Sequence, residues 1–243
     1  MAKIKVSAFG AYLTSWQIEG REVLYQGSEL KRTGIPLLFP NFDAGAPLPN
    51  HGFGRLSTWR IIEESENNCY LQLTENEITP EFRQLYPYPF IANLKIKASH
   101  NQLDYCLEVK NLSEKNLPLS PGLHPYWPVK HELKSQIKLV NFSQFNSQNI
   151  DWDKKSPDDT YDFHDSFWAI FPDYQLIIKE IKEGGTNHFH HLQIWSQNLT
   201  FPDHDFVCFE PVTRPKNGII SDPILVNSND TSRFHLQFQV IFP

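Results

Sequence analysis

Three segments of the sequence set ionisable side chains among apolar, Gly- and Pro-rich neighbours. The first is Arg32-Thr-Gly-Ile-Pro-Leu-Leu-Phe-Pro40, followed by Asn50-His-Gly-Phe-Gly-Arg55. The second is Pro121-Gly-Leu-His-Pro-Tyr-Trp-Pro128, and the third is Phe206-Val-Cys-Phe-Glu-Pro-Val-Thr213. Each places an ionisable group where a strand meets a turn. Glu210 closes an apolar strand and is followed by Pro211. A carboxylate there is costly to desolvate unless it is paired or open to a cleft, and such groups gather at functional sites. A salt-bridged or solvent-facing strand end fits the same spacing. His124 titrates near neutrality without special tuning, which suits acid–base work. Pro125 removes a ladder donor and points to an irregular backbone at a sheet rim. A hydrogen-bonded structural histidine fits as well, and His51 carries the same two readings. The Arg55 guanidinium matches carboxylate or phosphate oxygens in a fork, or serves as an ordinary surface arginine.

The run His188-Phe-His-His191 raises metal binding, since residues 188 and 190 share one face of a strand. The positions where a carboxylate ligand is wanted hold Ile194 and Trp195, so the ligand set is incomplete and no metal is expected. Cys69, Cys106 and Cys208 stand far apart in or beside apolar runs, without a CxxC, and read as buried reduced thiols. The net charge of −6 and the lack of a basic block argue against nucleic acid as a partner. No apolar run approaches the roughly 20 residues that span a bilayer, so no membrane partner is expected. The N-terminal run is broken by Ser7 and Gly10 and reads as a strand, not a leader. A cytoplasmic location is the default expectation.

The elements that must position these residues are strands. Proline outnumbers glycine, 18 to 11, and aromatics reach 14%, which favours short strands and rigid turns over long helices. Period-2 alternation marks residues 3–9, 11–18, 23–25, 60–64, 70–74, 94–99, 103–110, 137–140, 167–171, 176–181, 191–195, 206–210 and 234–242. That spacing predicts an all-β sandwich or barrel. One capped helical turn is expected after Thr79, with Pro80 at its first position. Residues 41–49 and 146–159 read as polar loops. Strands resume on both sides of them, so one domain over residues 1–243 is the simplest account.

Taken together and in order, the segments resemble the aldose 1-epimerase (mutarotase) family, closest to its hexose-6-phosphate branch. The similarity lies in Arg32-Thr-Gly-Ile-Pro36, His51-Gly-Phe-Gly-Arg55 with Trp59, His124-Pro-Tyr-Trp127, Leu192-Gln-Ile-Trp195 and Glu210-Pro211. Thr33 and Gly54 depart from the family's usual Gly and Ala. The resemblance implies a large antiparallel β-sandwich of the galactose mutarotase-like type, with a cleft on one sheet. It implies that His124 is the acid that protonates the ring oxygen. It makes Glu210 the base at the anomeric hydroxyl, acting from the opposite side of the sugar ring. Arg32, Asn50, His51 and Arg55 would bind substrate, together with an aspartate expected at Asp165, with Asp162 nearly equivalent. The implied reaction interconverts α and β anomers of a hexose or hexose 6-phosphate by ring opening and reclosure, with no cofactor. Two arginines near the cleft favour the phosphorylated sugar. A non-catalytic carbohydrate-binding sandwich would share the fold and the aromatics but would not need the His124 and Glu210 pair. A metal-dependent sugar isomerase would need the ligand set that is missing beside His188.

Overall fold

The computed structural model describes residues 1–44, 47–182 and 186–243. Of the loop expected over residues 41–49, residues 45 and 46 lie outside the described residues. Two antiparallel sheets dominate. The larger has eight strands: Lys138–Leu139, Ser166–Ile170, Gln175–Glu180, Thr231–Ile241, Gln102–Asn111, Phe90–Ser99, Asn68–Thr74 and Arg60–Glu64, in that spatial order. The alternation that marks these strands in the sequence has a physical cause. Leu71, Leu73, Leu94, Ile96, Leu107, Ile178, Phe234, Leu236 and Phe238 all turn to one buried face, while most residues between them are nearer to solvent.

The second sheet runs Asp158–Asp162, His191–Trp195, Phe206–Val212, Gly122–Leu123, Leu37–Leu38, and the short strand Tyr126–Pro128 also pairs with Phe206–Val212. Every residue of Phe206–Val212 is buried. Val207 and Phe209 point into the main core, whereas Phe206 and Cys208 belong to a separate cluster on the other face. The two sheets meet through aromatic contacts such as Phe209 with Phe167, centroids 4.7 Å apart, and Trp127 with Phe238, 5.8 Å apart. Buried side chains from Ala2 to Val240 form one contiguous cluster. A three-stranded sheet, Ala2–Ser7, Tyr12–Ile18 and Arg21–Glu22, and a two-stranded pair, Leu117–Leu119 with Ile224–Val226, complete the sheet structure.

The expected helical turn is Pro80–Leu85, with the Thr79 hydroxyl accepting from the Phe82 amide at 3.3 Å. Two sequence expectations differ from the structure. Residues 23–25 are not a strand, because the hairpin partner of Tyr12–Ile18 is Arg21–Glu22 and the turn is made by Glu19 and Gly20. Residues 158–162, the first two of which fall in the expected loop, are an edge strand paired with His191–Trp195. Aspartates are depleted in strands, so propensity hides this one. All three cysteines are buried and none is in a disulfide. No helix of the described residues is long and apolar enough to cross a membrane.

Truncating Phe209 to Ala should cost about 3–5 kcal/mol, because it empties a fully buried contact between the sheets. Chemical denaturation checks this, with the exposed Phe201→Ala variant expected to stay within about 0.5 kcal/mol of the parent.

Candidate active site

Cross-strand register builds the site. Gly122 pairs with Val212 and Tyr126 pairs with Cys208, so the same register sets His124 opposite Glu210. Glu210 pairs in turn with Gln193, and Gln193 with Thr160. The neighbouring row reads Tyr126, Cys208, Trp195, Asp158. Residues paired in register share a sheet face, so both rows line one surface. Pro125 interrupts the ladder as its chemistry dictates, but within the sheet and not at its rim. Strands flank it on both sides, and the gap is bridged by His124 N–H to Pro36 O at 3.0 Å and Tyr126 N–H to Gly34 O at 2.9 Å. The Arg32–Pro36 segment is therefore stitched alongside the His124 segment. Glu210 does not end its strand, which continues through Pro211 to Val212.

Over this surface lies an open cleft of about 350 Å³, within the range of small-molecule sites. Arg32, Asn50, His51, Arg55, His124 and Glu210 all line it. His124 Nε2 and Glu210 Oε1 are 3.4 Å apart, and both side chains are buried. The pair stands side by side on one floor, not on opposite sides of a bound ring, because register makes the two residues direct neighbours. Tyr126 stacks on the His124 ring at 4.7 Å and 17°, and Trp195 meets its edge at 5.5 Å, so the imidazole is clamped. Burial pushes the Glu210 carboxyl well above its ordinary range, reinforced by the Asp158 charge and opposed by Lys216. Burial also pushes His124 well below its ordinary value, with His51 and Arg55 acting in the same direction.

His51 arrives through a tight turn. His51 and Gly52 both have positive φ, and a Cβ on Gly52 would sit 2.1 Å from the Phe39 carbonyl oxygen, so only glycine fits. The Asp43 N–H donates to His51 Nδ1 at 3.3 Å, which leaves Nε2 as the donor nitrogen. Burial, with Arg55 and Lys216 nearby, lowers His51 to about 3, so its ring is neutral at physiological pH.

The cations of the cleft differ in their partners. Arg32 lies 3.7 Å from the buried Asp203, whose oxygens also accept from Ser28 and Tyr25. With its amide oxygen turned toward Arg32, Gln197 accepts from it at 3.0 Å. Lys216 donates to Asp158 at 3.0 Å. Arg55 donates to the Asn50 carbonyl at 3.3 Å, and no described carboxylate is within ion-pair distance of it. Thr33, where the family pattern has Gly, adopts extended backbone and needs no glycine. Its hydroxyl accepts from Gly27 N–H and donates to Glu29 O.

Asp165 does not reach the cleft. It is exposed in the turn that precedes Ser166–Ile170 and is ion-paired with Lys182. Asp162 is exposed too, 4.0 Å from His191. The aspartates that line the cleft are Asp43 and Asp158, and Asp158 is held by Gln193 Nε2 at 2.6 Å and by Lys216. The even spacing that puts Asp162 on the same strand face as Asp158 is visible in the sequence. The register that carries one to the cleft and the other to the sheet edge is not. Lys134 gives no sequence signal of its role either. Its buried ammonium, lowered to about 8 by burial, donates to Ser196 Oγ at 2.8 Å and Gln197 O at 3.1 Å and so fixes the segment after Trp195. His188 and His190 precede the strand His191–Trp195, and the His188 ring packs on Phe234. Among the described residues, the potential metal ligands that converge are instead His124, Cys208 and Glu210.

Residues 1–172 match the sequence profile of the family described as aldose 1-epimerase. The chain belongs to the aldose 1-epimerase family. The matched span includes His124, and Glu210 lies beyond it. The aldose 1-epimerase fold is shared at low identity by solved structures. The Slr1438 protein of Synechocystis sp. PCC 6803 is similar with a TM-score of 0.83 and 19% identity, over 100% of this chain and 92% of that one. The galactose 1-epimerase of Lactobacillus acidophilus NCFM gives a TM-score of 0.65 at 13% identity, over 99% and 91%. The aldose epimerase homologue from C. elegans gives 0.73 at 9%, over 99% and 96%. These agree with the antiparallel β-sandwich expected of this epimerase family.

Asp158→Asn should raise KM for sugar about 10- to 100-fold, the worth of one charge-assisted hydrogen bond. Asp165→Asn should leave kcat and KM unchanged. Steady-state anomer-exchange kinetics on both variants separate the two aspartates.

Proposed function

We propose that the protein is a mutarotase that interconverts the α and β anomers of a hexose, with His124 and Glu210 as its proton-transfer pair. The observation that carries this reading is the 3.4 Å contact between a buried imidazole and a buried carboxyl at the floor of an open polar cleft. The anomeric hydroxyl oxygen and the ring oxygen are both bonded to C1 and so are adjacent. Two groups side by side can therefore serve both oxygens from one face of the cleft.

Glu210 as carboxylate takes the hydroxyl proton. The O–H electrons form the carbonyl, the bond from C1 to the ring oxygen breaks, and that oxygen takes the proton of the His124 imidazolium. The aldehyde turns about C1–C2. His124 then recovers the proton as the ring oxygen attacks the other carbonyl face, and Glu210 returns its proton to the new hydroxyl. During the open-chain stage the pair is a neutral imidazole beside a neutral carboxylic acid. Burial favours that neutral form by moving Glu210 up and His124 down. The same desolvation makes the starting imidazolium–carboxylate pair costly, so it lowers the intermediate relative to that ionised pair. A module that only binds sugar has no use for two ionisable groups buried against each other.

Arg32, Asn50, His51, Arg55 and Asp158 are the substrate-binding set in this reading, with neutral His51 donating through Nε2. The finer assignment is a hexose 6-phosphate. Arg55 supports it, as a cleft cation that no described carboxylate neutralises, whereas Arg32 and Lys216 already face Asp203 and Asp158.

His124→Gln and Glu210→Gln should each lower kcat/KM by about 10²–10⁴-fold with the fold intact. The parent should show a bell-shaped pH profile. Activity falls on the acid side as the pair takes a second proton, and on the alkaline side as it loses its only one. Removing a nearby cation raises both apparent values, so Lys216→Met should shift both limbs to higher pH. Polarimetry on freshly dissolved α-glucose across pH provides the measurement, and turnover surviving in either Gln variant would refute the assignment of that residue. For the phosphate, Arg55→Ala should reduce the ratio of kcat/KM for glucose 6-phosphate to that for glucose about 10- to 100-fold. A ratio near one in the parent protein would eliminate the phosphorylated substrate.

A further inference from the structure

Cys208 stands two residues before Glu210 on the same strand face, and diagonally across the strand pair from His124. The ring-opening chemistry makes no use of its thiol. Yet a His124 nitrogen, the Cys208 sulfur and a Glu210 oxygen all lie within 4.8 Å of one another. A tetrahedral zinc ion with bonds of about 2.0–2.3 Å sets its ligands roughly 3.3–3.8 Å apart. The 3.4 Å between His124 and Glu210 already meets that spacing. The remaining separations close with a movement of about an ångström or so, small beside the reach of a side-chain rotation. His124 Nε2 faces Glu210, and the buried Nδ1 has no hydrogen-bond partner, so no hydrogen bond to Nδ1 fixes the ring.

The donor types select the ion. Imidazole nitrogen with thiolate sulfur and a carboxylate suits a borderline-soft divalent cation, whereas magnesium and calcium prefer all-oxygen shells. Thiolate and carboxylate together cancel two positive charges, which offsets the cost of placing the ion in a buried position. Tyr126 and Trp195, the register neighbours of Cys208, wall the sulfur with aromatic surface. His124 and Glu210 line the cleft, so the fourth coordination position opens to it.

We propose that the floor of the cleft is a reversible site for a thiophilic divalent cation such as Zn²⁺, bound by His124, Glu210 and Cys208, and that its occupation blocks the sugar reaction. On binding, the thiol proton passes to solvent and the sulfur lone pair goes to the metal, with no change of oxidation state. The ion takes the lone pairs that the proton transfers require, so metal and sugar exclude each other. The block rests on the mutarotase reading, while the metal site does not.

Titration of the purified full chain with Co²⁺ tests the site directly. The parent should develop thiolate-to-cobalt charge-transfer absorption in the near ultraviolet that saturates at one ion per chain. Cys208→Ala and Cys208→Ser should lack it, and Cys69→Ala should keep it. Zn²⁺ should inhibit anomer exchange competitively with sugar, and the Cys208 variants should need at least about tenfold more Zn²⁺ while keeping the metal-free rate of the parent. Circular dichroism verifies that each variant is folded, and either Cys208 variant suffices. No charge-transfer band in the parent, an undiminished band without Cys208, or equal Zn²⁺ inhibition with and without Cys208 each overturns the proposal. A parent that shows the band but no anomer exchange would retain the metal site and remove the mutarotase reading.

Discussion

Everything at the cleft floor follows from the antiparallel register between residues 122–128 and the strand Phe206–Val212. It makes His124 and Glu210 direct cross-strand neighbours, and it extends through Gln193 to Thr160 in one polar row. A slip of one residue would send Glu210 into the main core and bring Phe209 to the cleft, because side chains alternate with a period of two. The hydrophobic core itself prevents that slip. Val207 and Phe209 on the opposite face belong to the main core, and Phe209 is locked against the larger sheet by Phe167 and Phe171. Packing energy on one side of the strand thus fixes the geometry of the cleft floor on the other.

Burial then tunes what register has placed. A carboxyl and an imidazole in a poorly hydrated pocket move toward each other in proton affinity, one upward and one downward. A general acid or base works best when its pKa lies near the operating pH. The surrounding charges modulate this balance with opposite signs, since Asp158 raises Glu210 and Lys216 lowers it, and those two are bound to each other. The same register places Cys208 beside the imidazole and the carboxyl, with a His124 nitrogen, the Cys208 sulfur and a Glu210 oxygen within 4.8 Å of one another.

The outer parts of the cleft are held by contacts from distant segments. Asp203 collects Tyr25, Ser28 and Arg32, and Lys134 fixes Ser196 and Gln197 from beneath. These anchors leave Arg55 as the cleft arginine whose charge is not matched by a described carboxylate. The turn at His51 and Gly52 presses backbone against Phe39, which brings the neutral His51 ring within 5.6 Å of His124.

Strand content, the capped turn after Thr79, the buried thiols and the order of the motifs that carry His51, Arg55, His124 and Glu210 are all legible in the amino-acid order alone. These are local properties: period-2 alternation, capping chemistry and residue types at short spacing. Which groups meet is a property of the folded chain. Folding places Asp158 in the cleft and leaves Asp165 on the surface with Lys182, because an acidic edge strand has no propensity signal and its register is set by the partner His191–Trp195. It sets His124 and Glu210 side by side, and it matches Arg32 to Asp203 from a remote part of the chain. Cross-strand neighbours are chosen by hydrogen-bond register and by packing on the far face of the sheet, and neither is written in the spacing of residues along one strand.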